Sequence, residues 1–164
     1  MSLIAIPLDD EVDDLDKICV FFGHRDFNEK YRPALEAGIR AAILNHGVST
    51  FWCGGYGAFD NCAARTVNKL KLSYPEIRLF LIQAYLPKPG EELPPIYDGS
   101  IYPEGLELVP LRYAITHRNR WMADNCDMVI AWVERSYGGA YQACRYAKAH
   151  GKHVVKFGRQ GGAK

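Results

Sequence analysis

The stretch "FWCGGYGAFDNCAAR" (51–65) puts Gly54, Gly55 and Gly57 within four positions, between residues that read as a strand and residues that read as a helix. Glycine weakens both elements, so its concentration there points to positive φ or to a close approach of something to the backbone. A second pair, Gly138 and Gly139 in "ERSYGGAY", also precedes a helical pattern, and "FFGHRDF" closes an apolar run with Gly23, His24 and Arg25. The first N–H groups of a helix lack internal partners and sit at the positive end of its dipole, which suits a phosphate. The alternative use of such glycines is a tight strand-to-helix turn. His24 titrates near neutrality and Arg25 can pair with an anion, or both can simply cap loops.

A second group lies in "ITHRNRWMADNCD". On a helix, Ile115, Arg118, Asn119 and Met122 share one face, so two polar side chains sit between apolar ones and require partners. Arg118 can fork onto a phosphate or carboxylate, and Asn119 can bond a base, a ribose or a loop backbone; alternatively the two anchor a neighbouring loop. Arg120 faces solvent. Two carboxylates are candidate catalytic groups, Asp60 and Glu134. A carboxylate can act as acid or nucleophile, although an aspartate at a helix start is ordinarily a favourable dipole contact.

Alternating strands and helices must position these residues. "KICVFFGH" (17–24) is an apolar run ending at glycine, which predicts a strand buried on both faces. Leu35, Ile39, Ala42 and Ile43 predict a helix over 31–46, with Pro33 in its first turn and Gly47 as its stop. "VSTFWC" predicts the second strand. Phe59, Cys62, Ala63, Thr66, Val67 and Leu70 line the next helix, and Pro75 closes it. "RLFLIQAY" (78–85) predicts a third strand, followed by a proline-rich irregular excursion over 86–105 that is a candidate lid. "LELVPL" reads as a short strand, "THRNRWMADNC" as a helix capped by Thr116, "DMVIAWV" (127–133) as the clearest buried strand, "GGAYQACRYAKAHG" as a helix and "KHVVKF" as the last strand. The alternation predicts an α/β fold, a Rossmann-like three-layer sandwich with a mostly parallel central sheet. In such a sheet ligands bind beyond the carboxyl ends of the strands, where the three unusual loops converge.

At 164 residues, with 48% hydrophobic content, the chain is expected to form one domain over 17–158, with a flexible acidic segment at 1–16 and a tail at 159–164. A formal charge of +1 offers no basic field, so nucleic acid is an unfavoured partner. No apolar run approaches the roughly 18–20 residues of a membrane helix, and the expected location is cytoplasmic. Cys19, Cys53, Cys62, Cys126 and Cys144 form no C-x-x-C pair and read as buried free thiols rather than a metal site.

Together, "FFGHRDF", "FWCGGYGAFDNCAA" and "HRNRWMADNCDMVIAWVERSYGGAYQACRYAKAHGKHVVKF" resemble the SLOG superfamily of Rossmann-like proteins, particularly the small bacterial branch of YpsA-like proteins. The resemblance implies a nucleotide or nucleotide-derived ligand, many members acting as ligand sensors. It implies a cleft lined by Gly23, Gly54, Gly55, Gly57, Arg118, Asn119, Gly138 and Gly139. The alternative function is an N-glycosidic hydrolase or transferase, as in the cytokinin-activating phosphoribohydrolase branch with its P-G-G-x-G-T-x-x-E motif. Here Ala143 stands where that glutamate would be. The recombination-mediating, DNA-associated branch is disfavoured by the balanced charge. The expected partner is a small nucleotide-derived molecule, no further cofactor is implied, and a homo-oligomer is left open.

Overall fold

The computed structural model describes residues 17–158; the expectations for 1–16 and 159–164 lie outside the described residues. The sheet contains β1 (Lys17–Gly23), β2 (Val48–Cys53), β3 (Arg78–Ile82), β4 (Gly99–Ile101), β5 (Met128–Trp132) and β6 (His153–Phe157) in the order β4-β3-β2-β1-β5-β6. Every pairing is parallel, so the sheet is parallel throughout rather than mostly so. The chain starts at β1, builds outward to β4 and then returns to add β5 on the other side of β1. The connections therefore diverge between β1 and β5, where a doubly wound sheet opens a crevice.

Side chains alternate between two cores along each strand. Cys19, Phe21, Phe51, Leu79, Ile130 and Trp132 pack with Leu35 and Ile39 of α1 (Arg32–His46) and with Phe59 and Val67 of α2 (Gly57–Leu70). Val20, Phe22, Trp52, Ile82, Val129 and Ala131 pack with Met122 of α3 (Ala114–Asn125) and with Ala143, Cys144 and Ala147 of α4 (Gly139–Ala149). All five residues of β5 are buried, which is why it reads as an unbroken apolar run. All five cysteines are buried and unbridged.

Three local expectations are corrected. The proline-rich excursion contains β4, three residues that pair Phe80↔Gly99, Leu81↔Ser100 and Ile82↔Ile101 on an edge; a strand this short carries no periodicity to detect. "LELVPL" is no strand but two 3-10 turns, Leu106–Leu108 and Leu111–Tyr113, because Leu108 and Leu111 are exposed and have no sheet to join. Helix α3 begins at Ala114, before Thr116, with Tyr113 at its N-cap and no side-chain cap.

Candidate functional site

The crevice between β1 and β5 is a cavity of about 290 Å³. Gly23, His24, Arg25, Gly54, Asp60, Arg118, Asn119, Gly138 and Gly139 all line it, with the predicted face of α3, Ile115 to Met122, forming one wall. Gly55 lines an adjoining cavity, and neither Gly57 nor Glu134 lines either one. Glu134 follows β5 with its Oε2 directed toward Gly158, 3.3 Å from where a Cβ on that glycine would stand. The two candidate carboxylates are thus not brought together. Ala143 is buried in the core of α4, and the turn carries no acid in place of the missing glutamate.

Each glycine of "GGYG" has a neighbour within the protein that excludes a side chain. A Cβ on Gly54 would lie 2.7 Å from the Arg118 guanidinium carbon; Gly55, at φ 82°, would meet Leu81, and Gly57, at φ 86°, would meet the backbone of Arg25. The start of α2 is also filled electrostatically. Asp60 Oδ2 accepts the Tyr56 N–H at 3.1 Å, and Ala58 N–H donates to Arg25 O at 3.0 Å. A phosphate arriving there would meet a carboxylate.

The start of α4 is different. Gly138 holds φ 95°, and a Cβ on either Gly138 or Gly139 would touch nothing within 4 Å. The helix has no side-chain cap and no acidic residue in its first turn. Its leading N–H groups and positive dipole end face the cavity unopposed.

Arg118 is 3% exposed and largely committed to the protein. Its Nη1 donates to Gly54 O at 3.0 Å and to Ile82 O at 2.7 Å, fastening the ends of β2 and β3, while Nε donates to Asn119 Oδ1 at 2.9 Å. The residue also lines the cavity, with its guanidinium 5.8 Å from the Tyr56 ring centre. Loop anchoring and cavity lining coexist in one side chain. Arg135, which sequence reasoning passed over, also lines the cavity and is held by Asp26 at 3.3 Å. Its place just beyond β5, in the loop leading to the glycine pair, was the available signal.

His24 is 4% exposed, and its Nε2 has no hydrogen-bond partner among the described residues. Burial, with Arg135 adding in the same sense, lowers its pKa below 6.5 and keeps the ring neutral at pH 7.

Burial lifts the Asp60 carboxyl from 3.8 to about 6, against the opposing pull of the Tyr56 N–H and Arg118. Folding therefore favours its protonated form. The stabilisation is complete below about pH 4 and disappears as pH rises through about 6, a change of about 3 kcal/mol. Asp60→Asn should gain stability relative to the parent by up to that amount between pH 4 and pH 7.5, as measured by urea unfolding. The opposite pH dependence from His24 is common to both proteins and cancels in the difference. A difference that stays flat across this range would show that Asp60 is not desolvated.

No protein-family model matches the chain, and no curated protein matches it in sequence. Solved structures do match in fold. DNA processing protein A (DprA) from Streptococcus pneumoniae is 21% identical, aligning over 87% of this chain with a TM-score of 0.62; this chain spans half the length of that protein, 50%. DprA from Helicobacter pylori, described by its single-stranded DNA binding mode, is 15% identical over 92% of this chain and 69% of that one, with a TM-score of 0.60. The molybdenum cofactor carrier protein from Chlamydomonas reinhardtii is 14% identical over 88% of this chain and 79% of that one, with a TM-score of 0.59. The first two overturn the expectation that nucleic acid is an unfavoured partner. A balanced overall charge does not disfavour such a partner, because a single strand is held by a local groove and by stacking rings rather than by the field of a whole chain. Among the described residues no helix is long and apolar enough to cross a membrane. The chain has the parallel Rossmann-like architecture of these neighbours, the fold that the resemblance of its glycine loops and its α3 motif to the SLOG superfamily implies.

Proposed function

We propose that this chain is a binding module for a nucleotide unit, whether free or within a single strand, and that it holds the phosphate at the start of α4. The observation that carries this reading is the uncapped α4 N-terminus in the cavity at the β1/β5 divergence, whose lining also includes the buried His24. Arg25, Arg118 and Arg135 add positive charge to the same walls, and Asp60 is the only acidic residue among them. Guanidinium groups and backbone N–H groups together are the usual recognition chemistry for phosphate. The fold neighbours add support, since one is described by its single-stranded DNA binding and another as a molybdenum cofactor carrier. Glycosidic hydrolysis is not favoured: of the two candidate carboxylates only Asp60 lines the cavity, where it accepts the Tyr56 N–H, and neither Glu134 nor Ala143 supplies a second acid there.

The test is thermal unfolding with AMP, ADP, NAD, a short oligothymidylate and adenosine at low salt. Phosphate-bearing compounds at about 100 times their Kd should stabilise the fold by about 2.7 kcal/mol, with adenosine having little effect. Stabilisation by the oligonucleotide alone assigns a single strand as the ligand, and by mononucleotides alone a free metabolite. Equal stabilisation by adenosine and AMP would remove the phosphate from the reading.

A further inference from the structure

We infer that the ligand is bipartite, its nucleobase occupying the second cavity, of about 630 Å³, that adjoins the phosphate cavity across Gly54 and Tyr56. This inference rests on the phosphate reading above. The first cavity, at about 290 Å³, is at the lower limit for a ligand site, where about 300–1,000 Å³ is usual, so it holds the phosphate end of a nucleotide better than the whole molecule. The two cavities differ in chemistry. The second has one lysine, Lys88, against Glu91 and Glu92, a balance that repels a further phosphate and suits an uncharged group. Its exposed rings are Tyr56 and Tyr85, 40% and 36% exposed, with centroids 6.4 Å apart and planes at 89°, and the half-buried Tyr97 is a third ring in its lining.

Both exposed rings are held in place. Tyr85 donates its hydroxyl to Leu111 O at 3.2 Å, and Tyr56 lies beside the Arg118 guanidinium with its own N–H on Asp60. The two rings already meet edge to face, so a base stacks on the exposed face of one of them, with the other fixing that ring's orientation. The carboxamides of Gln83 and Asn61 line the same cavity and offer both donors and acceptors to a base edge. On this assignment the proline-rich excursion is a wall of the base site: β4 anchors it, and Asp98 ties its base through Leu79 N–H at 2.8 Å.

Calorimetric titration of the full chain with AMP, GMP, CMP, UMP and ribose 5-phosphate tests this. The tightest nucleotide should bind at least about tenfold more strongly than ribose 5-phosphate, as expected for one stacked base. Tyr85→Ala should remove most of that advantage, and Gln83→Ala part of it, leaving ribose 5-phosphate affinity unchanged. Gln83→Ala provides the independent variant if Tyr85→Ala unfolds. Equal binding of all five compounds, or variants that weaken nucleotide and sugar phosphate alike, would overturn the base assignment while leaving the phosphate site standing. Failure of all five to bind would overturn both.

Discussion

Arg118→Ala is expected to lower the unfolding midpoint by about 10 °C, the largest stability effect of any single change at the site. The side chain joins three segments, donating to the carbonyls of Gly54 and Ile82 and to the Asn119 side chain. Truncation leaves two buried carbonyls without donors, each costing about 1–3 kcal/mol, and withdraws the positive charge that partly offsets the burial of Asp60. The sum of about 3–5 kcal/mol corresponds to that shift for a domain of this size. Arg118→Lys should recover only part of it, because one ammonium cannot reproduce the fixed fork that spans both carbonyls and the amide. Thermal and urea unfolding read the result. An unchanged midpoint accompanied by lost ligand affinity would make the guanidinium a ligand contact and not a brace.

Gly139→Asp separates binding from stability in the opposite direction. A Cβ there touches nothing within 4 Å and the residue needs no positive φ, so the substitution fits the backbone. A carboxylate in the first turn of α4 complements the helix dipole and should leave the ligand-free midpoint unchanged or slightly raised, by about 0.3–1 kcal/mol. The same carboxylate competes for the N–H groups and repels an incoming phosphate. Affinity for phosphate-bearing ligands should fall about 100-fold or more, the equivalent of losing one charge-assisted contact of about 3 kcal/mol. Titration of the variant with the best ligand from the thermal screen checks this, and wild-type affinity would move the phosphate away from α4.

The central strands were legible because β1 and β5 are covered on both faces by helices, which demands continuous apolar sequence. The face of α3 was legible for a related reason. Ile115, Arg118, Asn119 and Met122 recur at helical spacing, and polar groups within such a face signal a local function. β4 was not legible, since three residues on an edge are specified by their pairing with β3 and not by their own composition.

By itself the sequence determined the alternation of elements, hence a parallel sheet, and the convergence of three glycine-bearing loops at one edge of it. It could not separate the two glycine loops, because a glycine required by a neighbouring side chain and one facing a cavity look identical in one dimension. Only the tertiary structure decided that. It brought Arg118 against Gly54 from 64 positions away, the Phe59 ring against Gly23 so closely that no Cβ would fit there, and Asp60 onto the start of α2, leaving α4 as the helix end open toward the cavity. These contacts join residues distant along the chain, so their constraints are written in the packing and not in any local pattern.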